Sequence, residues 1–368
     1  MSGDTGAPKP LPVAAAAAAR LRDVLVYGAL MLVVGAIFGG YSIYTSVVFA
    51  GAPALNPLVF AFARDCVGSV LLLGAAAAEA RRRGTAFFPA WSDAGSFMLL
   101  GLLGVWGAQG MSALAIKYAT PVFFAASTNL QPVVTLCLSL TLGVEPWRGW
   151  GAATSWGKVG GLALTAACGA AVVITAAAGG PASLAAGAQN FPLGAAFAAL
   201  QVVLGGSLAV VQKPMLSRYS PLLLCGWGYG CGTALLAMSV VTGATNPSDW
   251  AGAASAQFVA GVAYAGVLSS AVAYAIMSVV NNAMSPTFVA AFMPSTTFFA
   301  IAFAWLFQGR SVAPAVIVLA AGMWAGIVCL VLSQHRERAD LAAAAAEKLP
   351  AKEDGISLPL LQEEVAVI

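Results

Sequence analysis

Between Val24 and Ser333 the chain is a succession of long apolar runs separated by short polar or charged stretches. A hydrocarbon core about 30 Å thick takes roughly 20 residues of helix, and a single segment can satisfy its backbone hydrogen bonds there only as helix. The runs predict membrane helices near 24–50, 57–80, 94–118, 121–143, 157–178, 192–213, 220–243, 256–280, 286–308 and 312–333. Several begin at proline (Pro57, Pro121, Pro192, Pro221, Pro286), which suits a first helical turn because the missing N–H has no partner there anyway. The expected fold class is an all-α membrane protein of ten transmembrane helices.

An even number of spans puts both termini on one side, and the distribution of Lys and Arg selects which side. With a cytoplasmic N-terminus the inner segments hold 14 of the 17 basic residues, the outer loops hold Lys117 and Arg310, and Arg64 lies inside a span. One missed span would invert every later loop, so the bias supports the segmentation as well as the orientation.

Composition narrows the classes. Charged residues make up 8% of the 368, where soluble domains carry roughly a quarter, and only 15 of the 31 charges fall between Val24 and Ser333. A net charge of +3 spread this thinly offers no concentrated basic face for nucleic acid. The six cysteines sit in apolar runs without a Cys-x-x-Cys pair and read as small buried hydrophobes. The one histidine, His335, follows the last run, so no intramembrane histidine relay is expected. Residues 1–22 lack an apolar core followed by a cleavage site. An uncleaved first helix is expected, with an Ala-rich organelle presequence as the alternative.

A repeat emerges from comparing the two halves. Residues 115–126 read AIKYATPVFFAA and residues 280–291 read VNNAMSPTFVAA, sharing Ser/Thr-Pro-x-Phe-x-Ala-Ala at a junction of two runs, 165 residues apart. That spacing is about half of the membrane body. Two five-helix halves follow, and because five is odd the second enters from the opposite face, an inverted repeat of the kind that encloses the substrate site of many secondary transporters. The organisation expected is an N-terminal segment (1–23), a first half (24–180), a second half (190–333) and a disordered, charged cytoplasmic tail (334–368). Glycines cluster in spans one (Gly35, Gly39, Gly40), three (Gly101, Gly104, Gly107, Gly110) and seven (Gly226, Gly228, Gly230, Gly232), as close helix contact in a membrane requires.

On these residues the chain resembles the EamA-type drug/metabolite transporters, most closely the plant nodulin-like, walls-are-thin-type group. The resemblance is carried by Gln212-Lys213, Arg218-Tyr219 and Pro221, by Tyr264-x-Gly266, Ser269-Ser270 and Tyr274, and by Ser285-Pro286-x-Phe288-Val289-Ala290 and Pro294. In the first half, Arg64, Asn129-x-x-Pro132, Glu145 and Lys158-x-x-Gly161 are similar to the family's pattern. Two positions depart from it: Gln308-Gly309-Arg310 stands where the family has Leu-Gly-Glu, and Ala63 where it has an aromatic residue. The resemblance implies two inverted EamA repeats and export or intercompartmental movement of amino acids, auxin-like indole acids or related metabolites.

Arg64 is the most informative single position, because a guanidinium inside a span costs several kcal/mol unless it meets a partner or water. It is expected either to face a central cavity and bind a substrate carboxylate or to hold an acidic partner. Asp65 lies about 100° away on the helix and is not assumed to be that partner. A transport cavity needs a few directional polar groups on an apolar wall. Trp106, Gln109, Asn129, Gln131, Gln201, Tyr264, Tyr274 and Thr296 are the candidates, with Thr297 beside them. Tyr264 and Tyr274 are spaced to share a face, and Tyr41 and Tyr44 read as interfacial anchors. Asp65, Glu145 and Lys158 are candidates for gating or coupling, the last two as a pair on the inner side.

No phosphate-binding Gly-x-x-x-x-Gly-Lys loop, metal-ligand cluster or paired intramembrane carboxylates occur, so no enzyme, cofactor or metal is expected. The reading is a secondary transporter in the bilayer of the plasma membrane, vacuole or another organelle, with both termini cytoplasmic, a small-molecule substrate and homodimerisation left open. A nucleotide-sugar or organelle phosphate exchanger of the same fold is the alternative, which calls for more cavity-facing Lys and Arg. A membrane receptor or scaffold is the alternative outside transport.

Overall fold

The computed structural model describes residues 13–145, 153–178, 189–308 and 314–348, and every regular element among them is helical. In chain order these are α1 (Val13–Gly51), α2 (Pro57–Arg83), α3 (Trp91–Tyr118), α4 (Pro121–Ser127 continuing through a short 3-10 turn into Gln131–Thr141) and α5 (Ala153–Ala178). Then come α6 (Phe191–Met215), α7 (Pro221–Gly243), α8 (Ala256–Ala283), α9 (Pro286–Ala291 followed by Ser295–Gln308) and α10 (Pro314–Lys348). Among the described residues eight stretches, in α1 to α4 and α6 to α9, are long and apolar enough to cross a bilayer, while α10 carries a shorter apolar run, Ala321–Ser333. Arg310 and the charged tail beyond Lys348 lie outside the described residues.

The prolines mark helix starts as expected, and each is paired with a capping side chain. Asn56, Thr120, Asn190, Ser220 and Ser285 accept hydrogen bonds from the backbone N–H groups of Leu58, Phe123, Leu193, Leu223 and Phe288. A first turn left without such an acceptor would expose orphan donors at the edge of a low-dielectric medium.

Glycine sets how closely the helices approach. A Cβ on Gly101 of α3 would stand 2.5 Å from the backbone nitrogen of Gly232 in α7, and one on Gly161 of α5 would stand 2.7 Å from the Gly326 carbonyl of α10. At such separations only hydrogen fits, so backbone packs on backbone. The neighbours that result are α1 with α9, α6 with α4, α2 with α7 and α8, α3 with α6 and α7, and α5 with α10.

Four irregularities lie in the middle of the bundle. α3 widens into a π-helical stretch at Leu102–Gln109 and α8 does so at Ala265–Val272, while α4 and α9 are both interrupted shortly after their first turns. π-bulges and broken helices free backbone groups from the regular ladder, and they collect where a site is built.

Candidate functional site

Arg64 and Asp65 of α2 are both 0% exposed. The guanidinium Nη2 donates to the Gln109 carbonyl at 3.0 Å and to the Gln109 side-chain oxygen, and its carbon lies 4.7 Å over the Tyr41 ring. Nε sits 3.4 Å from Asp65 Oδ1, which also accepts from Ser270 Oγ at 2.7 Å. The angular separation along the helix does not keep the two apart, because the arginine stem is long enough to bring Nε back to its neighbour. Tyr41, expected at the membrane interface, is instead 3% exposed and forms the aromatic wall over this charge. Arg64 Nη1 and Asp65 Oδ2 are left without hydrogen-bond partners.

A cavity lies on the other side of Gln109 and Tyr41. Of the sequence candidates it brings together Gln109, Gln131, Gln201, Tyr274 and Thr296, and Tyr41, Ser112 and Thr128 join them. Phe38, Phe124, Leu208, Met277 and Met293 supply the apolar wall. No charged residue lines it. The space open to water centres is about 60 Å³, on the order of four waters at ~10–15 Å³ each, so this conformation is nearly closed around its polar groups.

Those polar groups divide by what they already do. Gln109 is fully engaged, since its amide nitrogen donates to Tyr229 at 2.8 Å while its oxygen takes Arg64. Gln201 Oε1 and Thr296 Oγ1 are buried without a hydrogen-bond partner. The Gln131 and Gln201 amides meet over Gly205, where a Cβ would stand 2.8 Å from the Gln131 nitrogen and 3.4 Å from that of Gln201.

The remaining candidates fall elsewhere. Trp106 donates to Ser239 of α7 at 2.8 Å. Asn129 accepts from Thr297 at 3.2 Å and packs against Gly169 of α5, so it ties the breaks of α4 and α9 together. Tyr264 donates to the Ile37 carbonyl at 3.0 Å and stacks on Tyr44, leaving only Tyr274 of the pair at the cavity. Glu145 and Lys158 do not serve each other. Lys158 is ion-paired with Glu337 of α10, and Glu145 accepts the Thr287 backbone N–H at 2.8 Å. Glu145 thus meets the first turn of α9, and Lys158 meets a carboxylate within α10.

Closure at one end of the bundle rests on residues whose role the sequence did not disclose. Lys213, at the end of α6, donates to the carbonyls of Asn281, Asn282 and Met284 at 2.7, 3.1 and 2.6 Å. A cation over the last carbonyls of α8 completes acceptors that the helix cannot. Beside it Gln212 donates to Ser278 at 2.7 Å and Asn281 to the Ala209 carbonyl at 2.8 Å. This seam separates a small inner cavity, lined by Tyr274, Gln212 and Asn281, from a vestibule of about 450 Å³ lined by Arg83, Arg218 and Asn282. There Arg218 pairs with Asp93 at 2.8 Å, and the hydrogen bond that Tyr219 donates to the same carboxylate raises the phenol above its ordinary pKa. The only signal in the sequence was the Gln212-Lys213 dipeptide, which names no partner.

Known proteins match this arrangement. Residues 192–332 match the model of the EamA-like transporter family. Two WAT1-related proteins of Arabidopsis thaliana are each 26% identical, over 66% and 58% of this chain. The matches span 66% and 61% of those relatives' lengths, in both cases under two thirds. A solved crystal structure of 17% identity superimposes with a TM-score of 0.60, covering 86% of this chain and 99% of its own, a likeness of fold alone. The chain is thus an integral membrane protein whose second half matches the EamA-like transporter family model, and it is similar in sequence to plant WAT1-related proteins.

Proposed function

We propose that the protein is a secondary transporter of small organic metabolites that works by alternating access around the cavity of Gln131, Gln201, Tyr274 and Thr296. The observation that carries this is the cavity itself, a pocket in mid-bundle with buried polar atoms that no described residue satisfies. On this reading there are ten spans, both termini are cytosolic, and the seam of Lys213 is the inner gate.

An inverted repeat is supported by features recurring at nearly one spacing. The capped starts at Thr120 and Ser285 are 165 residues apart, and the π-helical stretches begin at Leu102 and Ala265. The neighbour pattern agrees: exchanging each helix of one half for its counterpart turns the contact of α1 with α9 into that of α6 with α4, and α2 with α8 into α7 with α3. Broken helices at a repeat interface are the usual place for a substrate site in such proteins.

The alternative of a nucleotide-sugar or phosphate exchanger calls for cavity-facing cations, and the lining has none. Uptake into liposomes carrying the purified protein tests the reading against labelled amino acids, indole acids, uncharged amides and nucleotide sugars. Saturable flux of a small organic solute is expected. Failure of every class to move would overturn transport, and flux of nucleotide sugars alone would restore the alternative.

A further inference from the structure

We infer that the cavity selects molecules that carry no ionised group, and that its discriminating groups are the Gln131 and Gln201 amides with Thr296, not Arg64. The inference rests on the transport reading and names the substrate class of that site. Arg64 is a fully buried cation inside a span, yet its charge is answered by Asp65 and by the face of Tyr41, with Gln109 standing between it and the cavity. A carboxylate entering the cavity would leave water and meet no cation, and an ammonium would meet no anion, because no ionised side chain lines the space. Burying an unpaired charge costs far more than burying a hydroxyl or amide that finds a hydrogen bond.

What the cavity does offer is neutral and directional. Gln131 is 7% exposed, Gln201 7% and Thr296 2%, and the free acceptor of Gln201 with the free hydroxyl of Thr296 leaves one acceptor and one donor-acceptor for a ligand. An amide presents carbonyl oxygen and N–H together, so a carboxamide or a lactam edge on a flat ring meets both. Rings would lie against Phe38 and Tyr274, whose centroids are 5.9 Å apart.

Matched sets separate charge from shape: benzamide, benzoate and benzylamine, and nicotinamide, nicotinate and 3-(aminomethyl)pyridine. Each is titrated against the full-length protein in lipid nanodiscs, with thermal stabilisation as the readout. The uncharged member of each set is expected to stabilise at a concentration at least tenfold below its charged relatives. Gln201→Glu, an isosteric change, is expected to move the preference to the amine. Stabilisation by acid or amine at concentrations equal to or below the amide would overturn the proposal while leaving transport standing. If no member of either set acts, the proposal of an amide-selective cavity falls, and the liposome uptake assay decides the transport reading separately.

Discussion

Two polar regions sit side by side in the middle of this bundle, one charged and one neutral, and only the neutral one is open. Arg64 and Asp65 are entirely buried, touch each other and are held by Gln109, Tyr41 and Ser270. Across Gln109, no charged residue among those described lines the cavity, and Gln201 and Thr296 carry unpaired atoms on residues that border open space, whereas Arg64 and Asp65, which also keep unpaired atoms, do not line it. In a membrane interior the strongest electrostatic group is the one that most needs a partner built in, so it becomes structure. The weaker groups can be left waiting for a ligand at a cost the fold tolerates.

That contrast can be broken by mutation. Arg64→Ala or Asp65→Ala alone strands the other charge, and each should destabilise the protein by about 3–5 kcal/mol. Replacing both by leucine should recover most of the loss, as read by thermal midpoint in detergent. Lys213→Met removes a charge that completes helix-end carbonyls, which should cost about 1.5–3 kcal/mol. It should also raise the labelling rate of a cysteine at Ser278 from the inner side, since the seam loses its cation.

Changes on the neutral side should be gentle to the fold and severe for function. Gln201→Leu removes an acceptor that has no partner, so stability should move by less than about 1 kcal/mol, while half-saturating ligand concentration rises at least tenfold, or about 1.4 kcal/mol. Smallest of all is Gly205→Ala: its Cβ presses closest on the ends of two flexible amides and is in ordinary contact with Ala108 Cβ at 3.5 Å, so a few tenths of a kcal/mol in stability is expected, with a measurable loss of affinity because the two amides are pushed apart. A Gln201 variant that unfolds the protein, or an Arg64 variant that does not, would erase the distinction.

Much of this was legible in the sequence, and the reasons differ by residue. Helix starts followed from the prolines, because a first helical turn is local chemistry that the chain itself specifies. Gln109, Gln131, Gln201, Tyr274 and Thr296 could be chosen because a polar side chain deep in an apolar run has few bland explanations. What could not be read was which of them is already satisfied. Gln109 and Arg64 consume each other across two helices, Lys158 turns to Glu337 rather than Glu145, and Tyr264 spends its hydroxyl on Ile37. Those pairings depend on helix rotation, and the π-helical stretches in α3 and α8 alter that rotation without a marker residue. The Lys213 seam stayed hidden for the same reason: its acceptors are backbone carbonyls, present at every position.

The account is tested most directly by solvent reach to the two regions. In a protein whose six native cysteines are replaced by serine or alanine, cysteines are placed singly at Thr296, in the cavity wall, and at Ser270, against Asp65. Both are reacted with a small uncharged maleimide in sealed liposomes. Thr296→Cys should label at least tenfold faster than Ser270→Cys. Equal labelling, or faster reaction at Ser270, would mean that the charged pair faces the transport path after all.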